Sequence, residues 1–300
     1  MAFTVWSSAK YVFPLPEGHR FPVAKYALLR DRVIAEGIVD PARVLDPDAA
    51  TDDQLRLVHT ADYVGRFNSG NLDPAEQRRI GFPWSPELVE RSRRAVGGTI
   101  AATGHALSYG VAMNLAGGTH HAFPDHGEGF CVYNDVAVAL RLLQAEGRVG
   151  RAAIVDLDVH QGNGTHAVFA NDADVFTFSM RGARNYPFHK VAGSLDVELP
   201  DRCGDEDYLS RLEASLPIVL RSSQPDIVVY IAGADPHEGD TLGRLSLTFD
   251  GLARRDAFVL AQCREVGLPV AIVIGGGYGR DIGDTVRVHA TTARIAASCA

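Results

Sequence analysis

Ala152-Ala-Ile-Val-Asp156-Leu-Asp158-Val-His160-Gln-Gly-Asn163-Gly164 begins as an apolar run and ends in residue types that bind metals. In an extended strand residues two apart share a face, so Asp156, Asp158 and His160 are expected to project to one side. Burying two carboxylates there is unfavourable unless a cation or hydrogen-bond donors meet them, because an unpaired buried charge loses much of its solvation. A divalent metal is the simplest such partner.

Four other apolar runs bounded by Gly, Pro or Asp end in the same manner. Residues 111–116 lead to His120-His121, 175–179 to Met180-Arg181, 226–232 to Gly233-Ala-Asp235, and 270–274 to Gly275-Gly-Gly-Tyr278. Helical patterns over 85–105, 134–146, 206–221, 250–266 and 284–298 alternate with them, the last three opened by acidic residues that favour a helix start. This alternation predicts an α/β fold: a mostly parallel central sheet flanked by helices on both faces. In such sheets the working residues gather beyond the carboxyl ends of the strands. Stretches 68–85, 182–204 and 236–247 read as irregular and would form the rim of the site. Without a repeat, a low-complexity tract or a linker, a single catalytic domain over residues 1–300 is expected.

The chain has 300 residues, 46% apolar and 22% charged, enough for one large core. Acidic residues outnumber basic ones 37 to 29, a net charge of −8, and no basic run tracks phosphates, which argues against a nucleic-acid partner. A mildly acidic surface would instead attract a basic peptide. Cys131, Cys203, Cys263 and Cys299 are dispersed without CxxC spacing, as free thiols in a reducing cytoplasm would be. The N-terminal ten residues lack the pattern of a secretion signal. No apolar run approaches the roughly 20 residues that cross a bilayer. A soluble cytoplasmic protein with no membrane partner is expected, and nothing signals an oligomeric state.

Asp158, His160 and Asp235 would form an open three-ligand set of the kind a catalytic zinc uses, leaving a position for water or substrate. The other reading is a buried Asp–His pair, with Asp235 merely opening a loop. His120-His121, after Gly117-Gly118-Thr119, reads as a pair that handles protons beside such a metal, or as two partly exposed loop histidines. Asp156 is placed to hold an N–H of one of them. Gly275-Gly-Gly-Tyr278-Gly could pass for a phosphate-cradling loop. A dinucleotide fingerprint, however, needs a following βαβ context and an acidic residue about 20 residues on, and only one helix remains here. The glycines would rather let Tyr278 reach over the metal and donate to a developing oxyanion, the alternative being a packing tyrosine.

Together, Gly118-Thr-His-His121, Gly129-Phe-Cys-Val-Tyr-Asn134, the segment 156–164, Gly233-Ala-Asp235 through Gly239-Asp240, and Gly276-Gly-Tyr278 resemble the histone deacetylase superfamily across most of the chain. Residues 58–63 add weaker support. Gln161, Asn163 and the segment 237–246 are most similar to the class IV branch and its bacterial relatives. The resemblance implies an arginase/deacetylase fold, with one Zn2+ (Fe2+ being the other ion in cells) on Asp158, His160 and Asp235. It also implies His121 as general base and acid, His120 as its electrostatic partner, and Tyr278 as the group that polarises the carbonyl. A structural K+ near Asp156, Asp158, His160, Ser179 and Met180 follows from it as well. So does an acyl-lysine slot at Gly129, walled by Phe130 and opposite it by Tyr186, with Phe188 in reserve.

Two positions depart from the family pattern. Asn163 stands where class I members pair an Asp with the general-base histidine; it orients an imidazole but stabilises its cation less, so a lower pKa is expected for His121. Leu242 stands where polyamine deacetylases carry an acidic residue, which favours an acyl-lysine peptide or protein over a small acylated amine, although Glu238 is close in sequence. The reaction implied is zinc-dependent hydrolysis of an N-acyl-lysine amide. The alternatives are an acetylpolyamine or other small-molecule amidohydrolase, and a catalytically silent scaffold that binds acyl-lysine. Binuclear-manganese ureohydrolases share the architecture but need bridging carboxylates that Asn163 and a single Asp-x-His do not supply.

Overall fold

The computed structural model describes residues 3–300; Met1 and Ala2, the start of the stretch read for a secretion signal, lie outside the described residues. Eight strands form one sheet: β1 (Thr4–Trp6), β2 (Val44–Leu45), β3 (Val111–Asn114), β4 (Ala152–Asp156), β5 (Val175–Gly182), β6 (Leu195–Leu199), β7 (Ile227–Ala232) and β8 (Val270–Ile274). Their order is β2-β1-β3-β8-β7-β4-β5-β6, with every neighbouring pair parallel.

Parallel neighbours require crossover connections, and helices supply most of them. The five expected helices lie at Pro86–Tyr109, Asp135–Ala145, Asp205–Ser223, Phe249–Glu265 and Ile282–Cys299. Side chains just before four of them close the first turn. Ser85 accepts from the Leu88 N–H, Asn134 from Ala137, Thr248 from Gly251 and Asp281 from Gly283, each satisfying a donor the helix leaves open.

The inner strands are continuous apolar runs because both faces are covered. Met113, Val155, Tyr230 and Ile272 pack on one side with Leu29, Leu212, Leu216, Val259 and Ala293. Ile154, Val229, Ala271 and Val273 pack on the other with Ala102, Ala106, Val136 and Leu140.

Three expectations need correction. Residues 68–85 hold a helix, Pro74–Ile80, started by a reciprocal cap between Asp73 and Glu76 with proline at its first turn. Residues 182–204 contain β6, an edge strand in which Leu195-Asp-Val-Glu198 are half-buried or exposed and only Leu199 is buried, so it lacks the solid apolar character of the inner strands. The strand reading through His160 also fails, because β4 ends at Asp156 and the chain bends, so Asp158 and His160 leave the sheet. Residues 236–247 carry neither helix nor strand, as expected. Among the described residues no helix is long and apolar enough to cross a membrane.

Candidate active site

β3, β8, β7 and β4 lie side by side, and each sends a loop from its carboxyl end into one place. Asp156 is level with Ile231, and Ala232 with Ile274, so the strands release their chains at matching height. The loop after β4 brings Asp158 and His160, that after β7 brings Asp235, that after β8 brings residues 275–278, and that after β3 brings His120 and His121.

Asp158, His160 and Asp235 are buried, and one ligand atom from each lies within 4.8 Å of the others. His160 Nδ1 is 3.0 Å from Asp158 Oδ1 and 3.1 Å from Asp235 Oδ2. Such spacing suits one ion bonded to each atom at roughly 2.0–2.2 Å. Backbone amides hold the two carboxylates in place. The His160 N–H donates to Asp158 Oδ1 at 2.9 Å, Val159 N–H to Asp235 Oδ1 at 2.9 Å, and Gly276 N–H to Asp158 Oδ2 at 2.5 Å. A Cβ at position 276 would lie 1.8 Å from Asp235 Oδ2. The glycine run therefore lets backbone reach both carboxylates.

Electrostatics point the same way. Burial opposes charge on His160, but its hydrogen bonds to Asp158 and Asp235 outweigh burial and push its pKa up to about 10. Burial and the neighbouring Asp158 charge push Asp235 up to about 7. Two carboxylates with one imidazole in a buried space suit a divalent cation.

The adjacent histidines have different environments, though their ring centroids are 4.2 Å apart. His120 Nδ1 lies 2.7 Å from Asp156 Oδ2; burial disfavours its cation, but the Asp156 and Asp158 charges win and raise its pKa to about 9. His121 is held well below the ordinary imidazole value by burial and by the nearby His120 and His160. The Asn163 hydrogen bond acts the other way, favouring the cation. His121 Nδ1 is 2.7 Å from Asn163 Oδ1.

Glu128, which the motif reading passed over, completes this arrangement. Asn163 Nδ2 donates to Glu128 Oε1 at 2.6 Å, which turns Asn163 Oδ1 toward His121. His121 then carries its proton on Nδ1 and leaves the Nε2 lone pair free. The one available signal was chemical: an amide accepting from an imidazole still has N–H donors to satisfy.

A cleft of about 640 Å³ leads down to His121, His160 and Tyr278. Gly129 lines it at φ +57°, where a Cβ would lie 2.7 Å from the His121 ring and 3.1 Å from the Tyr186 ring, so no side chain fits at this position. Phe130 stands 5.9 Å from Tyr278, centroid to centroid. Tyr186 meets His121 edge-on at 5.0 Å, while Phe188 is 86% exposed, so Tyr186 is the inner of the two aromatic candidates. Leu242 lines the mouth; Glu238 is exposed and does not line it. Burial, with the Asp158 and Asp235 charges, holds the Tyr278 phenol well above its usual pKa, so it stays protonated. On β5, buried Ser179 is level with Asp156 and its Oγ has no hydrogen-bond partner; Met180 follows it, also buried.

A family profile described as "Histone deacetylase domain" matches residues 19–293. An uncharacterized protein from Picosynechococcus sp. is 47% identical over 296 residues, 99% of either chain. Histone deacetylase 2 of Arabidopsis thaliana is 30% identical over 269 residues, covering 87% of this chain and 70% of its own. The solved structure of an HDAC homolog complexed with SAHA superposes with a TM-score of 0.87 at 25% identity, over 99% of this chain and 84% of the other.

Proposed function

The chain belongs to the histone deacetylase family of hydrolases, and on that premise we propose that it is a class IV-like, zinc-dependent deacylase of N-acyl-lysine side chains. The observation that carries this reading is the meeting of the buried Asp158–His160–Asp235 cluster with His121 and Tyr278 at the foot of one aromatic-walled cleft. Zinc on that cluster, or ferrous iron in cells, would supply Lewis acidity, polarising an amide carbonyl and acidifying water. Potassium would be held near Asp156, Asp158, His160, Ser179 and Met180, a setting that the unpartnered Ser179 Oγ fits.

The chain's own groups do the rest. Phe130 and Tyr186 bracket the apolar stem of the substrate, and Gly129 leaves room for it. His121, neutral at ordinary pH, takes a proton from the attacking water at Nε2 and returns it to the departing amine. His120, kept cationic by Asp156, favours the negative charge that develops on the amide oxygen, and the Tyr278 hydroxyl donates a hydrogen bond to it. Asn163, steadied by Glu128, fixes the His121 ring. Leu242 at the mouth supports acyl-lysine over acylpolyamine. The retention of Tyr278 and both histidines supports catalysis over a silent scaffold. Four unpaired thiols are in keeping with a reducing cytoplasm.

A panel of peptides and polyamines bearing acetyl through long acyl groups, assayed with and without chelator, tests this reading. Metal-dependent release of the acyl group as a carboxylate, leaving a free lysine ε-amine in the peptide, is expected. Preferential cleavage of polyamines would favour the small-amine reading, and binding without release would favour the scaffold.

The pH profile of kcat/KM adds a separate prediction. The base must be neutral, and a depressed His121 pKa keeps it so until pH falls through that lowered value. Asn163→Asp places a carboxylate at Nδ1, raises the His121 pKa and should move the acid limb to higher pH. An unmoved limb would remove His121 from the role of base.

A further inference from the structure

The mouth of the cleft is opposite in sign to the chain as a whole. The sequence carries a net charge of −8, yet Arg20, Arg184 and Arg244 line the cleft and no aspartate or glutamate does. The three come from separate segments: Arg20 precedes the helix Lys25–Ala35, Arg184 follows β5 and Arg244 follows β7. All are exposed. A single carboxylate outside the lining serves two of them, with Asp201 Oδ2 3.3 Å from Arg244 and 3.7 Å from Arg184. Among the described residues no carboxylate pairs with Arg20. Exposed Phe188 adds an apolar surface at the same rim.

Three arginines with one carboxylate between two of them leave the mouth net positive, so an approaching cation is repelled and an anion meets donors on several sides. We propose that the preferred substrate is an acyl-lysine in an acidic stretch of polypeptide, whose flanking Asp or Glu residues engage Arg20, Arg184 and Arg244. This reverses the expectation from overall charge, because charges are screened within about 8 Å at physiological ionic strength and the local rim outweighs distant acidic residues. Three arginines on three loops match acidic residues on both sides of the acylated lysine better than the lone carboxylate of a small molecule. Arg184 and Arg244 are specificity residues in this account and take no part in the bond-breaking step.

The inference rests on the deacylase reading, and one experiment separates the two. Acyl-lysine peptides with Asp/Glu, uncharged or Lys/Arg flanks at the same positions are compared by kcat/KM on the metal-loaded protein, at low and high salt. The expected order is acidic, uncharged, basic, with about tenfold or more between the extremes at low salt and a smaller gap at high salt. Arg184→Glu combined with Arg244→Glu should lower or invert the acidic-to-basic ratio. A flat or reversed order in the unaltered protein overturns the acidic-flank proposal and leaves the deacylase reading intact, as does an unchanged ratio in the double variant. Hydrolysis of acylated small carboxylates with all peptides inert overturns it too. If nothing is hydrolysed, the underlying reading has failed and this one with it.

Discussion

Tyr278→Phe should lower kcat by about 10²–10³-fold while leaving KM nearly unchanged, the loss typical of removing one oxyanion donor. The substitution deletes a single hydroxyl and keeps the ring that packs near Phe130 and Phe21. Fold and cleft should survive, so a thermal melt should match that of the unaltered protein. Because the phenol is held well above its usual pKa by burial and by the Asp158 and Asp235 charges, it remains a neutral donor throughout the working range. The hydroxyl interacts with charge that grows on the amide oxygen only as the reaction proceeds, so the effect should fall on kcat and kcat/KM alike. Steady-state kinetics on an acyl-lysine peptide checks this, and unchanged turnover would reduce Tyr278 to a packing residue.

Asp235→Ala should abolish metal retention, seen as a fall from about one ion per chain to none by elemental analysis of the purified protein. The side chain is fully buried, touches His160 through Oδ2 and accepts the Val159 N–H through Oδ1, so its removal deletes a ligand and orphans an amide. The same cluster predicts how metal binding depends on pH. His160, with its pKa raised to about 10 by Asp158 and Asp235 against burial, carries a proton at neutral pH that a metal must displace. Affinity should therefore rise as pH rises, by about tenfold per unit for one displaced proton. Below about 7 the slope should steepen, because Asp235 is then protonated as well. Competition titrations of the stripped protein between about pH 6 and about pH 8 measure this slope; an affinity independent of pH would show that the cluster holds no such protons.

The sheet centre and the site were readable in the sequence for a common reason. β3, β4, β7 and β8 are covered on both faces, so they appear as solid apolar runs, and each is followed by residues that meet in the candidate site. The edges carry no such mark. β1 and β2 span three and two residues, and β6 is buried only at its last residue, Leu199. The helix Pro74–Ile80 hid behind a polar surface, although Asp73-Pro74 and Glu76 announce its start. Within the site, the spacing of Asp158 and His160 pointed to two members of the buried cluster but gave the wrong geometry, since the backbone turns after Asp156 instead of continuing as strand. Glu128 was missed because it acts through Asn163, 35 residues away. The basic rim was missed for a related reason: Arg20, Arg184 and Arg244 lie on three distant loops, and overall charge has the opposite sign.

Everything proposed for the cleft depends on one cation held by Asp158, His160 and Asp235. The direct measurement strips the protein with chelator and adds zinc back stepwise while following deacylation of an acyl-lysine peptide. Turnover should begin near zero, rise in proportion to added zinc and level off at about one equivalent per chain. Full turnover in the stripped protein, or none after reloading, would contradict it.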